Sequence, residues 1–249
     1  MPFKILLRKE LSSCLGALSG YAIIASALFI VGVSFVLLIK QANDIPTDMT
    51  LVEMFFCSWY FWIILVLSTP LITMRSYAQE KSQGTYETLM TAPVTDLQVL
   101  SSKFLGSWIF YAFTWLPVTV VLLLLRFYIK DSAVLNNTDI FTCYFGILLI
   151  GALYIAIGCF SSSLTKNQIV AGMLSFVLGM GLFLIFYSSL FLKADSGTLF
   201  CLMGDLSLIS YMIDYSRGIW DSRALVFVVT MTFLFLFLTY QLMSWRRWR

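Results

Sequence analysis

The residues able to do chemistry in this 249-residue chain are few, and their arrangement excludes most enzymes. Histidine is absent, so a His-based triad, a His metal ligand and a His proton relay are all impossible. Serines are plentiful, but none sits in a GxSxG elbow, and a serine without a base is a weak nucleophile. No GxxxxGK[ST] loop and no GxGxxG turn is present to cradle a phosphate, so any nucleotide that drives this chain is bound by another polypeptide. Cys14, Cys57, Cys143, Cys159 and Cys201 are scattered, form no CxxC pair and read as small apolar residues. No catalytic, metal or cofactor site follows from these residues.

The elements around them explain the scarcity. Hydrophobic residues make up 60% of the chain and charged ones 12%, with a mean hydropathy of +0.89; soluble domains hold about 45–50% apolar and about 25% charged residues. Six apolar runs are long enough to cross a hydrocarbon core of about 30 Å: 20–39, 55–74, 104–125, 140–160, 169–192 and 224–243. An unpaired backbone group in lipid is costly, and the runs lack the alternation of a barrel strand, so each is expected to be helical. The expected fold is all-α and polytopic, a single domain over 1–249 with no soluble insertion.

No Asp, Glu, Lys or Arg occupies the middle of any run, which argues against a proton- or sodium-coupled carrier, although backbone carbonyls could still bind an ion. Six spans place both termini on one side. The terminal segments and the connections after the second and fourth runs carry Lys4, Arg8, Lys9, Arg75, Lys81, Lys103, Lys166, Arg246, Arg247 and Arg249, while most acids fall on the other side. The positive-inside rule therefore makes both termini cytoplasmic. The net charge of +3 forms no basic stripe with interleaved aromatics, so nucleic acid is not an expected partner.

Residues 1–19 mix apolar and basic positions and suit an interfacial elbow helix, with an unstructured basic leader as the alternative. Residues 75–103 form a cytoplasmic segment. There Gly84 frees the backbone before Thr85, which could cap a helix from Tyr86 to about Thr91. Pro93 stops it, and Thr95 with Gln98 forms a capping box that starts a second helix running into the third span. The segment is either a rigid knob for a cytoplasmic partner or a plain connecting loop. Residues 193–223 are an external or re-entrant segment.

Ala171, Ser175 and Gly179 repeat every four residues and form a groove for close helix approach, between subunits or within one. Gly16 and Gly20 read as a turn into the first span. Pro70 and Pro117 bend their helices, and Trp59, Trp62, Trp108, Trp115, Trp245 and Trp248 read as headgroup-level anchors.

The stretch Glu80, Lys81, Gly84, Thr85, Glu87, Leu89, Pro93, Val94 and Lys103 resembles the signature after the second span of type-2 ABC exporter permeases. The N-terminal RKEL of Arg8 to Leu11, the late SRGIWDSRALVF of Ser216 to Phe227 and the final RRWR resemble the gliding-motility GldF branch. That resemblance implies six helices per subunit, a second permease subunit, identical or related, and cytoplasmic ABC ATPase subunits that hold ATP and Mg. It implies a coupling helix at Thr85 to Thr91, with Glu80, Gly84, Thr85, Tyr86, Glu87, Leu89 and Pro93 as the coupling residues. Short helices in the outer leaflet between spans five and six, within Leu199 to Trp220, are implied too, although a plain external loop would fit the same residues. Export across the cytoplasmic (inner) membrane of a bacterium is the implied activity. A secondary transporter, and an anchor or scaffold subunit of a gliding or surface machine, stay open as alternatives. The substrate is not legible in the apolar walls.

Overall fold

A computed structural model describes residues 2–44, 50–86, 94–128, 137–188 and 207–247. Among them the chain is helical, with no strand. The helices are α1 (Pro2–Gly16), α2 (Leu18–Asp44), α3 (Leu51–Cys57), α4 (Trp59–Thr73), α5 (Ala78–Ser82), α6 (Asp96–Tyr128), α7 (Asn137–Leu164), α8 (Gln168–Ser188), α9 (Leu208–Ser216) and α10 (Ser222–Arg247). Six of these regions are long and apolar enough to cross a membrane: Leu18–Ala42, Trp59–Ser82, Asp96–Leu124, Thr138–Leu164, Gln168–Tyr187 and Ser222–Trp245. This bears out the expected all-α polytopic class.

The fourth span, α7, is the axis of the bundle. Its Ile147, Ile150, Leu153, Ile155, Ala156 and Cys159 are fully buried. Two glycines let neighbours come close: a Cβ at Gly151 would lie 2.1 Å from the Tyr111 ring of α6, and one at Gly158 would lie 2.1 Å from Thr73 Oγ1 of α4. Small residues at crossings are how membrane helices pack when no hydrophobic force drives them together.

The second apolar run is not one helix. Ser58 has extended backbone (ψ 151°) and its N–H bonds back to Met54 and Phe55, so Phe55 and Phe56 belong to the short buried α3. Thr50 caps α3 by accepting from Glu53 N at 3.3 Å. On the same side lies α9, capped by Ser207 and held to the N-terminal end of α7 where Thr142 donates to Tyr215 O at 2.8 Å. Arg217 Nε meets the buried Glu53 Oε1 of α3 at 3.0 Å, tying the two short helices together. Part of the region expected within Leu199 to Trp220 is thus helical; 199–206 lie outside the described residues.

The aromatic belt needs correction. Trp62 and Trp115 are both 1% exposed and belong to an internal aromatic cluster, Trp62 5.1 Å and Trp115 5.3 Å from Phe61. Trp59 and Trp245 are exposed, as an anchor requires. Of the cysteines, Cys143 and Cys159 are buried and Cys57 is exposed; Cys201 lies outside the described residues.

Candidate functional site: the junction at one end of the spans

The start of the first and third spans and the end of the second and fourth meet at one end of the bundle, and the elements beside them are built around a single charge. Lys103, two turns inside α6, is 2% exposed. A buried ammonium is tolerated only when its donors are satisfied, and Lys103 Nζ meets Glu10 Oε1 of α1 at 2.8 Å, Glu80 Oε2 of α5 at 2.9 Å and Ser76 O at 2.7 Å. Two of its donors make hydrogen bonds, to Glu10 and to Ser76 O, Glu80 adds an ion-pair contact, and the Tyr77 ring lies 5.2 Å from the ammonium. Lys9 adds an exposed contact to Glu80 at 3.4 Å. One side chain therefore links α1, the segment after the second span, and the third span.

The sequence also makes the close approach possible. A Cβ at Gly106, one turn beyond Lys103, would lie 2.9 Å from Glu10 Cβ, so only a glycine lets α1 cross α6 here. Gly20 serves the turn from α1 into α2: its N–H bonds to Ala17 O at 2.9 Å, and a Cβ there would strike Cys14 O. Arg75, at the end of the second span, donates to Ser19 at the start of the first at 2.7 Å.

The short α5 has no cap of its own, since Tyr77 makes no side-chain cap bond. Its first N–H groups are satisfied from another span: Ser162 Oγ of α7 accepts from Tyr77 N and Ala78 N, each at 3.1 Å, and donates to Met74 O at 3.3 Å. Lys81 closes the other end by donating to Ser163 O, and its ammonium stands over the Tyr86 ring. The helix stops where Gly84 takes φ +73°, a left-handed conformation that costs any residue with a Cβ about 1–2 kcal/mol.

The expected coupling residues divide accordingly. Glu80, Gly84, Thr85 and Tyr86 are brought together on and just after α5. Glu87, Leu89 and Pro93, with most of the expected helix Thr85 to Thr91, lie outside the described residues. Thr85 is itself helical, and its hydroxyl donates back to Glu80 O at 3.3 Å; it closes α5. The Thr95–Gln98 box forms as expected, with Gln98 N to Thr95 Oγ1 and Thr95 N to Gln98 Oε1 both at 3.3 Å. Sequence reading missed α5 and the burial of Lys103, although Glu10, Glu80 and Lys103 all lay within the quoted motifs.

The stripe read as a groove for close helix approach, between subunits or within one, is turned inward. Ala171 and Ser175 are buried within this chain, and a Cβ at Gly179 would lie 3.2 Å from Tyr154 of α7. The groove serves packing within the subunit, because the fourth span takes up the space that small residues leave.

Between α1, the start of α2, the end of α4 and α5 lies a cavity of about 300 Å³, lined by Lys9, Glu10, Arg75, Glu80 and Lys103. Burial and the neighbouring Glu10 push the Cys14 thiol beside it above its usual range, against the pull of Lys103 and Arg75; the thiol stays protonated and unreactive. Among the described residues no group of three or more His, Cys, Asp or Glu could hold a metal ion. The arrangement can fasten and transmit; it offers no nucleophile or base beside a reacting centre.

A family model described as "ABC-2 family transporter protein" matches residues 39–240. No curated protein matches the chain significantly.

Proposed function

The chain belongs to the ABC-2 family of transporter proteins, and on that premise we propose that ATP hydrolysed on a separate cytoplasmic subunit reaches the membrane helices as movement of the segment that follows α5. The chain is the permease subunit of an ABC transporter, integral to the membrane and not itself the ATPase. ATP and Mg belong to the partner.

The observation that carries this reading is the buried Lys103 ammonium. A force on the segment between Gly84 and Pro93 meets α5 first, and α5 is fastened through Glu80 to α6, through Ser162 to α7 and, by way of Lys103, to α1. A push there moves the inner ends of three spans and the elbow together. The spans then rock to change the side to which the path opens, with a second permease subunit completing the wall. Both termini lie in the cytoplasm, and export across a bacterial cytoplasmic membrane is the direction that the motif resemblance supports. The RKEL and SRGIWDSRALVF segments favour the GldF-like branch within the family.

The test is made on the permease co-expressed with its ATPase and reconstituted in vesicles. Reversal of charge at Glu87, or proline at Leu89, is expected to abolish nucleotide-driven transport and to weaken ATPase co-purification at least several-fold. Unchanged co-purification and transport in both variants would overturn the coupling assignment. Substrate movement without ATP that collapses with an ion gradient would overturn the energy source as well.

A further inference from the structure

The cavity between α1, the start of α2, the end of α4 and α5 is lined by five charged side chains, the cations Lys9, Arg75 and Lys103 and the carboxylates Glu10 and Glu80. One positive charge is left over, and the contacts locate it. Lys103 is taken up by Glu10 and Glu80 at 2.8 and 2.9 Å, and Lys9 lies 3.4 Å from Glu80. Arg75 has no carboxylate within ion-pair distance among the described residues. Its Nη1 donates to the Ser19 hydroxyl at 2.7 Å, a neutral partner that leaves the guanidinium charge unbalanced. A guanidinium holds five donors in a planar fork that matches an oxyanion, and a serine hydroxyl that accepts from it keeps its own proton to donate to the same ligand.

The surroundings of Arg75 narrow the oxyanion to one carried by a membrane lipid. Arg75 lies just past the end of α4, and Ser19 lies at the start of α2. Leu71 and Ile23 stand four residues from Arg75 and from Ser19, one turn deeper in the first and second spans, and line the same cavity together with Ile72 and Phe110. Leu71 is exposed on its membrane-crossing helix, so an acyl chain can enter from that side. A polar wall with an apolar wall about 5 Å deeper repeats the order of phosphate and acyl chain in a phospholipid. A free anion would use only the first wall. Charge agrees, because a phosphodiester carries a single negative charge and balances the single surplus cation, whereas a phosphomonoester carries about 1.5–2.

We propose that this cavity binds a membrane phospholipid, with its phosphodiester on Arg75 and Ser19 and the start of its acyl chains along Leu71 and Ile23. The site goes beyond the coupling role given to the Lys103 cluster, which ties α1, α5 and α6 and leaves α2 aside. A lipid held by Arg75 and Ser19 joins α2 and the end of α4 to the same junction, whichever side of the membrane is cytoplasmic.

The experiment is a lipid titration of the full chain purified with its ATPase, followed by native mass spectrometry, with phosphatidylglycerol and with a phosphate-free galactosyl diacylglycerol of the same acyl chains. The first phosphatidylglycerol is expected to bind several-fold more tightly than the glycolipid. Arg75→Gln is expected to weaken it about tenfold or more, the loss of a charge-assisted contact. Lys40→Gln, which removes a cation near the far end of α2, is expected to leave it unchanged. Should Arg75→Gln not fold, Ser13→Glu gives a second reading: Ser13 is exposed and lines the cavity, and an added carboxylate there is expected to weaken the phospholipid several-fold and to spare the glycolipid. Equal affinity for the two lipids, binding indifferent to a folded Arg75→Gln or Ser13→Glu chain, or an equal loss in Lys40→Gln would overturn the proposal. Displacement of the lipid by glycerophosphoglycerol, the same diester without acyl chains, at comparable concentration would assign the site to a soluble anion and overturn the lipid as its ligand.

Discussion

At the scale of single residues, Lys103 is the position where burial and charge conflict most sharply. Its ammonium is nearly inaccessible, and Glu10 and Glu80 are 18% and 13% exposed, so the three charges are stable only together. Lys103→Met would leave two carboxylates facing one cavity with the exposed Lys9 and Arg75 as the cations left around it, and breaking a buried pair in this way costs about 3–5 kcal/mol. The measurement is thermal unfolding of the detergent-solubilised chain, followed by fluorescence-detected gel filtration: Lys103→Met is expected to melt well below the parent. Adding Glu10→Gln and Glu80→Gln is expected to recover most of the loss, since replacing a whole buried cluster by neutral groups is often close to neutral. Recovered stability without recovered nucleotide-driven transport would separate the mechanical role of the cluster from its structural one. A single Lys103→Met variant that melts with the parent would show that the cluster holds nothing.

At the scale of elements, α5 has little stability of its own. Five residues are too few to nucleate a helix in isolation, and the first N–H groups of α5 depend on Ser162 of a different span. Ser162→Ala would leave two buried N–H groups unpaired, each at a cost of about 1–3 kcal/mol. The expected result is faster hydrogen exchange at 77–83 while α7 stays protected, read by mass spectrometry on the reconstituted chain. Unchanged exchange there would mean that Lys103 and Lys81 hold the element without the serine. The same dependence explains what the sequence could show. The Thr95–Gln98 box is local, three residues apart, and was legible; so were the six apolar runs, because length and composition suffice to define a span. The acceptor for α5 lies 85 residues from Tyr77, and Glu10 lies 93 residues from Lys103, so no spacing rule connects them. Ser58 was hidden for another reason: an extended residue inside an apolar run leaves its hydropathy unchanged. Trp62 and Trp115 misled because a position along a span says nothing about which side of the helix faces the bundle.

At the scale of the whole molecule, the inward turn of Ala171, Ser175 and Gly179 leaves the question of where a second permease subunit could sit. In lipid, apolar exposure does not itself drive helices together; close approach at small residues does. Gly32, on α2, has no atom within 4 Å of where a Cβ would be, and it lies in an open groove of about 380 Å³ between Phe29, Val33 and Val36. The fourth span, by contrast, has its close-approach glycines occupied by Tyr111 and Thr73. If the transporter uses two copies of this chain, α2 is a surface on which a partner helix can reach the backbone. Filling the notch with Gly32→Leu leaves the subunit's own packing intact and is expected to lower the two-copy fraction several-fold, counted by stepwise photobleaching of singly labelled chains in nanodiscs. Cysteine at Ser175 is expected to give no intersubunit crosslink, because Ser175 is buried within the chain. A two-copy fraction unchanged by Gly32→Leu would move the interface off this groove, and an efficient Ser175→Cys crosslink would require α8 to separate from α7 in the assembled transporter.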